Sequence, residues 1–78
     1  GGKGFADLVF IPRKKFSEKP ALVVELKWDK TARGAITQIK EKEYCRSLEE
    51  YHGNLLLVGI NYDRKTREHT CCIEEMER

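Results

Sequence analysis

Pro20-Ala21-Leu22-Val23-Val24-Glu25-Leu26-Lys27-Trp28-Asp29 is the stretch on which the fold of this chain turns. A proline opens it, and apolar residues then fall on both faces until Glu25. That is the pattern of a strand buried in the middle of a layered sheet, not of one half-exposed to water. Side chains alternate along a strand, so Val23, Glu25 and Lys27 share one face while Leu22, Val24, Leu26 and Trp28 share the other. A glutamate and a lysine therefore point the same way from a largely buried strand. Burying ionised groups is costly unless they are paired or bind an ion. Nothing in a sheet requires that cost, which makes Glu25 and Lys27 candidates for chemistry. The plainer alternative, a surface pair near solvent at the strand end, stays open because the E-x-K triplet is common.

Upstream, Phe5 to Ile11 (FADLVFI) is a short β-branched and aromatic run ended by Pro12, which predicts a first strand. The charged, turn-like stretch Arg13 to Lys19 joins it to the second strand, and a connection of this length most simply gives an antiparallel pair. Downstream, Asp29 or Thr31 is a suitable N-cap for a helix running to about Tyr51. Ala32, Ala35, Ile36, Ile39, Tyr44 and Leu48 form its apolar stripe, and Gly53-Asn54 its end. Leu55 to Tyr62 reads as a third strand, apolar on both faces, Asp63 to Arg67 as a polar turn, and Glu68 to Glu74 as an edge strand. The order β-β-α-β-β predicts an α/β class in its α+β form. The helix links two parallel strands by a right-handed crossover and covers one face of a mixed four-stranded sheet. The other face is also apolar and needs a cover, either a further helix or a second copy.

The chain has 78 residues, 40% of them hydrophobic and 36% charged, which suits one soluble globular domain, residues 1–78. A core this small is marginal alone, so a homo-oligomer or a neighbouring segment is expected. The opening Gly1-Gly2-Lys3-Gly4 reads as a loop or a cut point, as in a piece of a longer chain. A net charge of +2 permits a phosphate ligand without demanding one. No apolar run approaches the roughly 18 residues of a membrane helix. Three cysteines, Cys45, Cys71 and Cys72, are odd in number and partly adjacent, unlike a disulfide framework, so a reducing cytoplasmic setting is expected.

Asp7 lies in the first strand between apolar neighbours and in an antiparallel pair falls beside Glu25. Two close carboxylates repel unless a cation sits between them. Oxygen donors of this kind suit a hard ion, Mg²⁺ or Mn²⁺. A nearby lysine can hold a phosphate oxygen or position a water. Together these are the parts that phosphodiester hydrolysis needs.

Asp7, followed at a distance by Glu25-Leu26-Lys27 at the end of an apolar strand, resembles the PD-(D/E)XK nuclease superfamily. The segments GFADLVFIP, KPALVVELKWDKTARGAITQIKEKEY, NLLLVGINYD and HTCCIE are similar to the nuclease-like domain found C-terminal to predicted AAA-type ATPases in bacteria. The resemblance implies a restriction-endonuclease-like core with Asp7 and Glu25 as metal ligands, the Leu26 carbonyl completing the metal shell, and Lys27 as the catalytic lysine. It also implies Gln38 as a supporting residue from the helix. Where related families place a tyrosine four residues after that glutamine, this chain has Lys42, and the nearest tyrosine is Tyr44. The superfamily's preceding helix, with a further acidic residue, is expected to lie outside these residues. The implied activity is metal-dependent cleavage of nucleic acid, with DNA the expected polymer and an attached AAA-type ATPase the expected neighbour. The rival reading is a non-cleaving binding or assembly domain.

Other features point to plainer roles. His69, Cys71 and Cys72 offer only two convergent zinc donors, and a structural site wants four. Trp28 could stack on a base, but a core or interface role is the simpler reading. Lys30, Arg33, Lys40 and Lys42 read as a solvated helix face, and Arg13, Lys14 and Lys15 as a basic hairpin tip.

Overall fold

The computed structural model describes residues 6–42, Leu48, Tyr51 and 53–76. A four-stranded sheet in the order β1-β2-β3-β4 contains Leu8–Phe10 (β1), Ala21–Trp28 (β2), Leu55–Asp63 (β3) and Glu68–Met76 (β4). The helix Ala32–Glu41 (α1) lies between β2 and β3, and Leu48, further along the same connection, is helical as well. β1 runs antiparallel to β2, β2 parallel to β3, and β3 antiparallel to β4. This is the mixed sheet with a single helical layer that the sequence predicts, consistent with a restriction-endonuclease-like core. Among the described residues no helix is long and apolar enough to cross a membrane.

The core sits between the sheet and α1. Ala21, Val23, Leu55 and Leu57 project from the central strands against Ile36, Ile39 and Leu48, and all of them are essentially sealed from water. Gly59 allows the close approach of the helix. A Cβ there would meet the Ala32 carbonyl oxygen and would stand 2.9 Å from the Ala35 Cβ. Thr31 caps α1, its hydroxyl accepting the Gly34 N–H at 2.8 Å. Over β4 the helix is laced by Arg33 and Lys40 to Glu74, at 3.6 and 2.5 Å.

Predicted boundaries need correction at β1 and at the helix, and β4 runs past the predicted Glu74 to Met76. β1 pairs only over Leu8–Phe10, not from Phe5 to Ile11; residues 1–5 lie outside the described part. At Asp7 the side chain takes over from the ladder, because its Oδ2 accepts the Leu26 N–H at 2.8 Å, the donor that a longer strand would have used. α1 ends at Glu41, while Leu48, inside the predicted span, is helical again. Lys42 is already extended (φ −90°, ψ 156°), its N–H shared between the Gln38 and Ile39 carbonyls. Most of the predicted remainder, with Tyr44 and Cys45, lies outside the described residues. Tyr51 is not helical; its hydroxyl meets the Ser17 and Lys19 carbonyls and ties down the turn after β1.

Candidate functional site

Strand alternation puts Val23, Glu25 and Lys27 on the helix-covered face, as the sequence predicts. Glu25 is 2% exposed, whereas Lys27, nearer the strand end, is half-buried. The register explains the difference. Glu25 pairs with Gly59, the position where α1 comes closest, and Lys27 pairs with Asn61 beyond it. Asp7 is exposed, one step past the last β1–β2 pair, Leu8 with Val24, so it faces the Glu25–Leu26 segment. N–H and C=O of one strand residue point to the same edge, so the Leu26 carbonyl is turned toward the β1 side as well. Asp7, Glu25 and the Leu26 main chain thus come together. Asp7 Oδ1 has no hydrogen-bond partner among the described residues, and Lys27 has no ion pair among them.

Glu25 is different. Both of its carboxylate oxygens accept from the Lys42 ammonium, at 3.1 Å (Oε1) and 2.9 Å (Oε2). The Lys42 side chain is 20% exposed and that of Glu25 only 3%. The expected solvated helix face is thus broken at this residue, where the chain leaves α1 and the ammonium turns inward. Lys40 and Arg33 remain surface residues paired with Glu74. Gln38 is half-buried on α1, four residues before Lys42, and its side chain makes no hydrogen bond among the described residues. Sequence spacing could not single out Lys42, which sits in a run of charged residues.

The strand end is held from the other side. Asp29 has a positive φ of 56°, tolerated in aspartate more readily than in most residues. Its N–H donates to the Tyr62 carbonyl at 2.8 Å, and its carboxylate accepts from the Arg64 backbone N–H at 2.8 Å and from Arg64 Nε at 2.7 Å. The Arg64 backbone and then its side chain pull the Asp29 carboxyl below its ordinary value of 3.8. Buried Asn61 accepts the Lys30 N–H at 2.8 Å and fixes the loop into α1.

A cavity of about 170 Å³ lies near the same strand end, lined by Leu26, Lys27, Trp28, Ile60, Tyr62 and His69. Trp28 meets Tyr62 edge to face at 5.4 Å, and Tyr62 lies 4.6 Å from His69. Most of this lining belongs to the helix-free face, away from Glu25. His69 is engaged with the Tyr62 ring, Cys71 is exposed and Cys72 half-buried. No three His, Cys, Asp or Glu side chains gather as a metal cluster among the described residues.

The donor chemistry of Asp7, Glu25 and the Leu26 carbonyl, all hard oxygens, fits a divalent ion such as Mg²⁺ or Mn²⁺. Of these donors, Glu25 already carries a counter-ion, the Lys42 ammonium. Comparisons with curated proteins and with solved structures return no match. Protein-family comparison matches residues 1–71 to the PD-(D/E)XK nuclease superfamily, nucleases that generally use divalent metals. With that span and this arrangement of Asp7, Glu25 and Lys27, the chain belongs to the PD-(D/E)XK nuclease superfamily.

Proposed function

We propose that this chain is the core of a metal-dependent nuclease that hydrolyses phosphodiester bonds in nucleic acid, with DNA as the expected substrate. The observation that carries the reading is the meeting of Asp7 with the Glu25–Leu26 segment, with Lys27 on the Glu25 face and unpaired among the described residues. Asp7, Glu25 and the Leu26 carbonyl would hold a Mg²⁺ or Mn²⁺ ion. Bound there, such an ion supplies Lewis acidity toward a phosphoryl oxygen and lowers the pKa of water. Asp7 and Glu25 fix the charge and the hardness of the donor set. Lys27, half-buried beside them, holds the scissile phosphate or orients the attacking water. Gln38 supports from α1.

Titration calorimetry with Mn²⁺ tests the reading, on wild type and on the Asp7→Asn/Glu25→Gln variant, which keeps side-chain shape. Binding to wild type that disappears in the variant supports the metal site. Cleavage of single- and double-stranded DNA and RNA then fixes the substrate. Lys27→Ala should lower the cleavage rate by at least about 100-fold with Mn²⁺ affinity little changed. A folded protein that binds no Mn²⁺, either as wild type or with the Glu25 counter-ion removed in Lys42→Gln, sinks the proposal.

The second reading, a domain that binds nucleic acid or assembles with a partner without cutting, draws on the Lys42–Glu25 pair, which already neutralises the buried carboxylate. In that reading the helix-free face is where an attached AAA-type ATPase domain or a second copy would sit. Sedimentation of the chain alone distinguishes the two partners, since a monodisperse dimer favours self-pairing.

A further inference from the structure

Glu25 is the most buried charged residue of the described chain, and its counter-ion comes from an unexpected place. Lys27 lies two residues along the same strand face, yet the ammonium on Glu25 is that of Lys42, 17 positions away in sequence. Lys42 engages both carboxylate oxygens. A second cation entering at those two oxygens meets the Lys42 ammonium already there. A buried carboxylate is also poorly tolerated without a counter-charge. Departure of Lys42 leaves Glu25 to be neutralised by a proton or by another cation, and a divalent ion is the cation that hard oxygen donors suit. Its stem is long and flexible, it stands where the chain has already turned out of α1, and its side chain is 20% exposed, so it has a route to solvent that Glu25 lacks.

We propose that Lys42 is a placeholder cation, which neutralises Glu25 in the metal-free protein and yields it to an incoming divalent ion. The proposal rests on the metal-site reading above. It assigns Lys42 a part in the site as a positioning residue, because it acts through Glu25. The exchange is of one cation for another at the same two oxygens, and no covalent bond is made or broken. Metal affinity in wild type is then held down by the work of displacing Lys42, and the released ammonium moves toward solvent.

Two measurements decide it. In the first, Mn²⁺ affinity is compared by calorimetry between wild type and Lys42→Gln, which removes the charge but keeps a hydrogen-bond donor for Glu25. At least a tenfold tighter binding in Lys42→Gln supports the placeholder, as does binding to Lys42→Gln where wild type shows none. Equal affinities overturn it and leave the metal site standing. No binding to either protein overturns both. In the second, protein labelled with ¹⁵N in lysine is titrated with Mg²⁺, and the Lys42 ammonium resonance is identified by its loss in Lys42→Arg. Movement of that resonance to the position of solvated lysines as the site fills is the expected result. Persistence of the paired resonance at saturating Mg²⁺ overturns the proposal even if Lys42→Gln does not fold.

Discussion

A Glu25 side chain that is 3% exposed and a Lys42 side chain that is 20% exposed have unequal stakes in their bond. Removing the ammonium strands a buried charge; removing both charges together strands nothing. Lys42→Met should therefore destabilise the fold by about 3 kcal/mol, and Glu25→Leu combined with Lys42→Met should recover most of that loss. Urea denaturation of the two single variants and the double variant measures the coupling directly. Asp29 makes a second prediction at this scale, one that depends on pH. Arg64 holds its carboxyl below 3.8, so the folded state favours the ionised form. The stability this contributes is complete above the unfolded value and is lost as pH falls through the lowered folded value. Asp29→Asn should be less stable than wild type near neutral pH, and the two melting temperatures should converge as pH drops below about 3.8. A gap that stays constant across that window would remove Arg64 as the cause. Asp7, Glu25 and Lys27 were legible as candidates because a two-residue period places Glu25 and Lys27 on one face of an apolar strand. Lys42 was not, because its partner lies 17 residues away and nothing local marks it off from Lys40.

Elements pack here through small residues and caps. Gly59 leaves room for the α1 backbone, and Gly59→Ala must push either the Ala32 carbonyl or the Ala35 methyl aside. Overpacking of that kind costs about 1–3 kcal/mol. Because Gly59 is the register neighbour of Glu25, Mn²⁺ affinity should fall along with stability. Thr31→Ala removes the hydroxyl that accepts the Gly34 N–H and should cost about 1 kcal/mol, read from the same denaturation curves. The strands β2 and β3 could be read almost to the residue from their continuous apolar runs. The end of α1 could not. Glu41 to Tyr44 has ordinary helical propensity, and the chain departs at Lys42 in company with a tertiary contact, the ammonium on Glu25. Propensity yields to packing at such places. β1 was predicted too long for a similar reason: the apolar pattern runs past Leu8, but Asp7 uses its side chain in place of a ladder bond.

At the scale of the whole molecule the sheet has two unlike faces. The one under α1 carries the core and the carboxylate site; the other shows Phe10 53%, Trp28 59% and Ile73 62% exposed. Substitutions should divide accordingly. Leu57→Ala, in the sealed layer, should cost about 2–5 kcal/mol. Ile73→Thr on the open face should stay within about 0.5 kcal/mol of wild type by the same urea assay. If Ile73→Thr proved as damaging as Leu57→Ala, the open face would have to be covered in solution. The alternation of apolar residues made both faces visible in the sequence, but alternation carries no information about what covers a face. Trp28 is the chain's single tryptophan, it stands on that open face, and Tyr62 packs against its ring. The protein consequently carries a native fluorophore on the side opposite its carboxylates. Its emission should report, without any label, whatever comes to lie over the open face, and should stay comparatively quiet when an ion enters at Glu25.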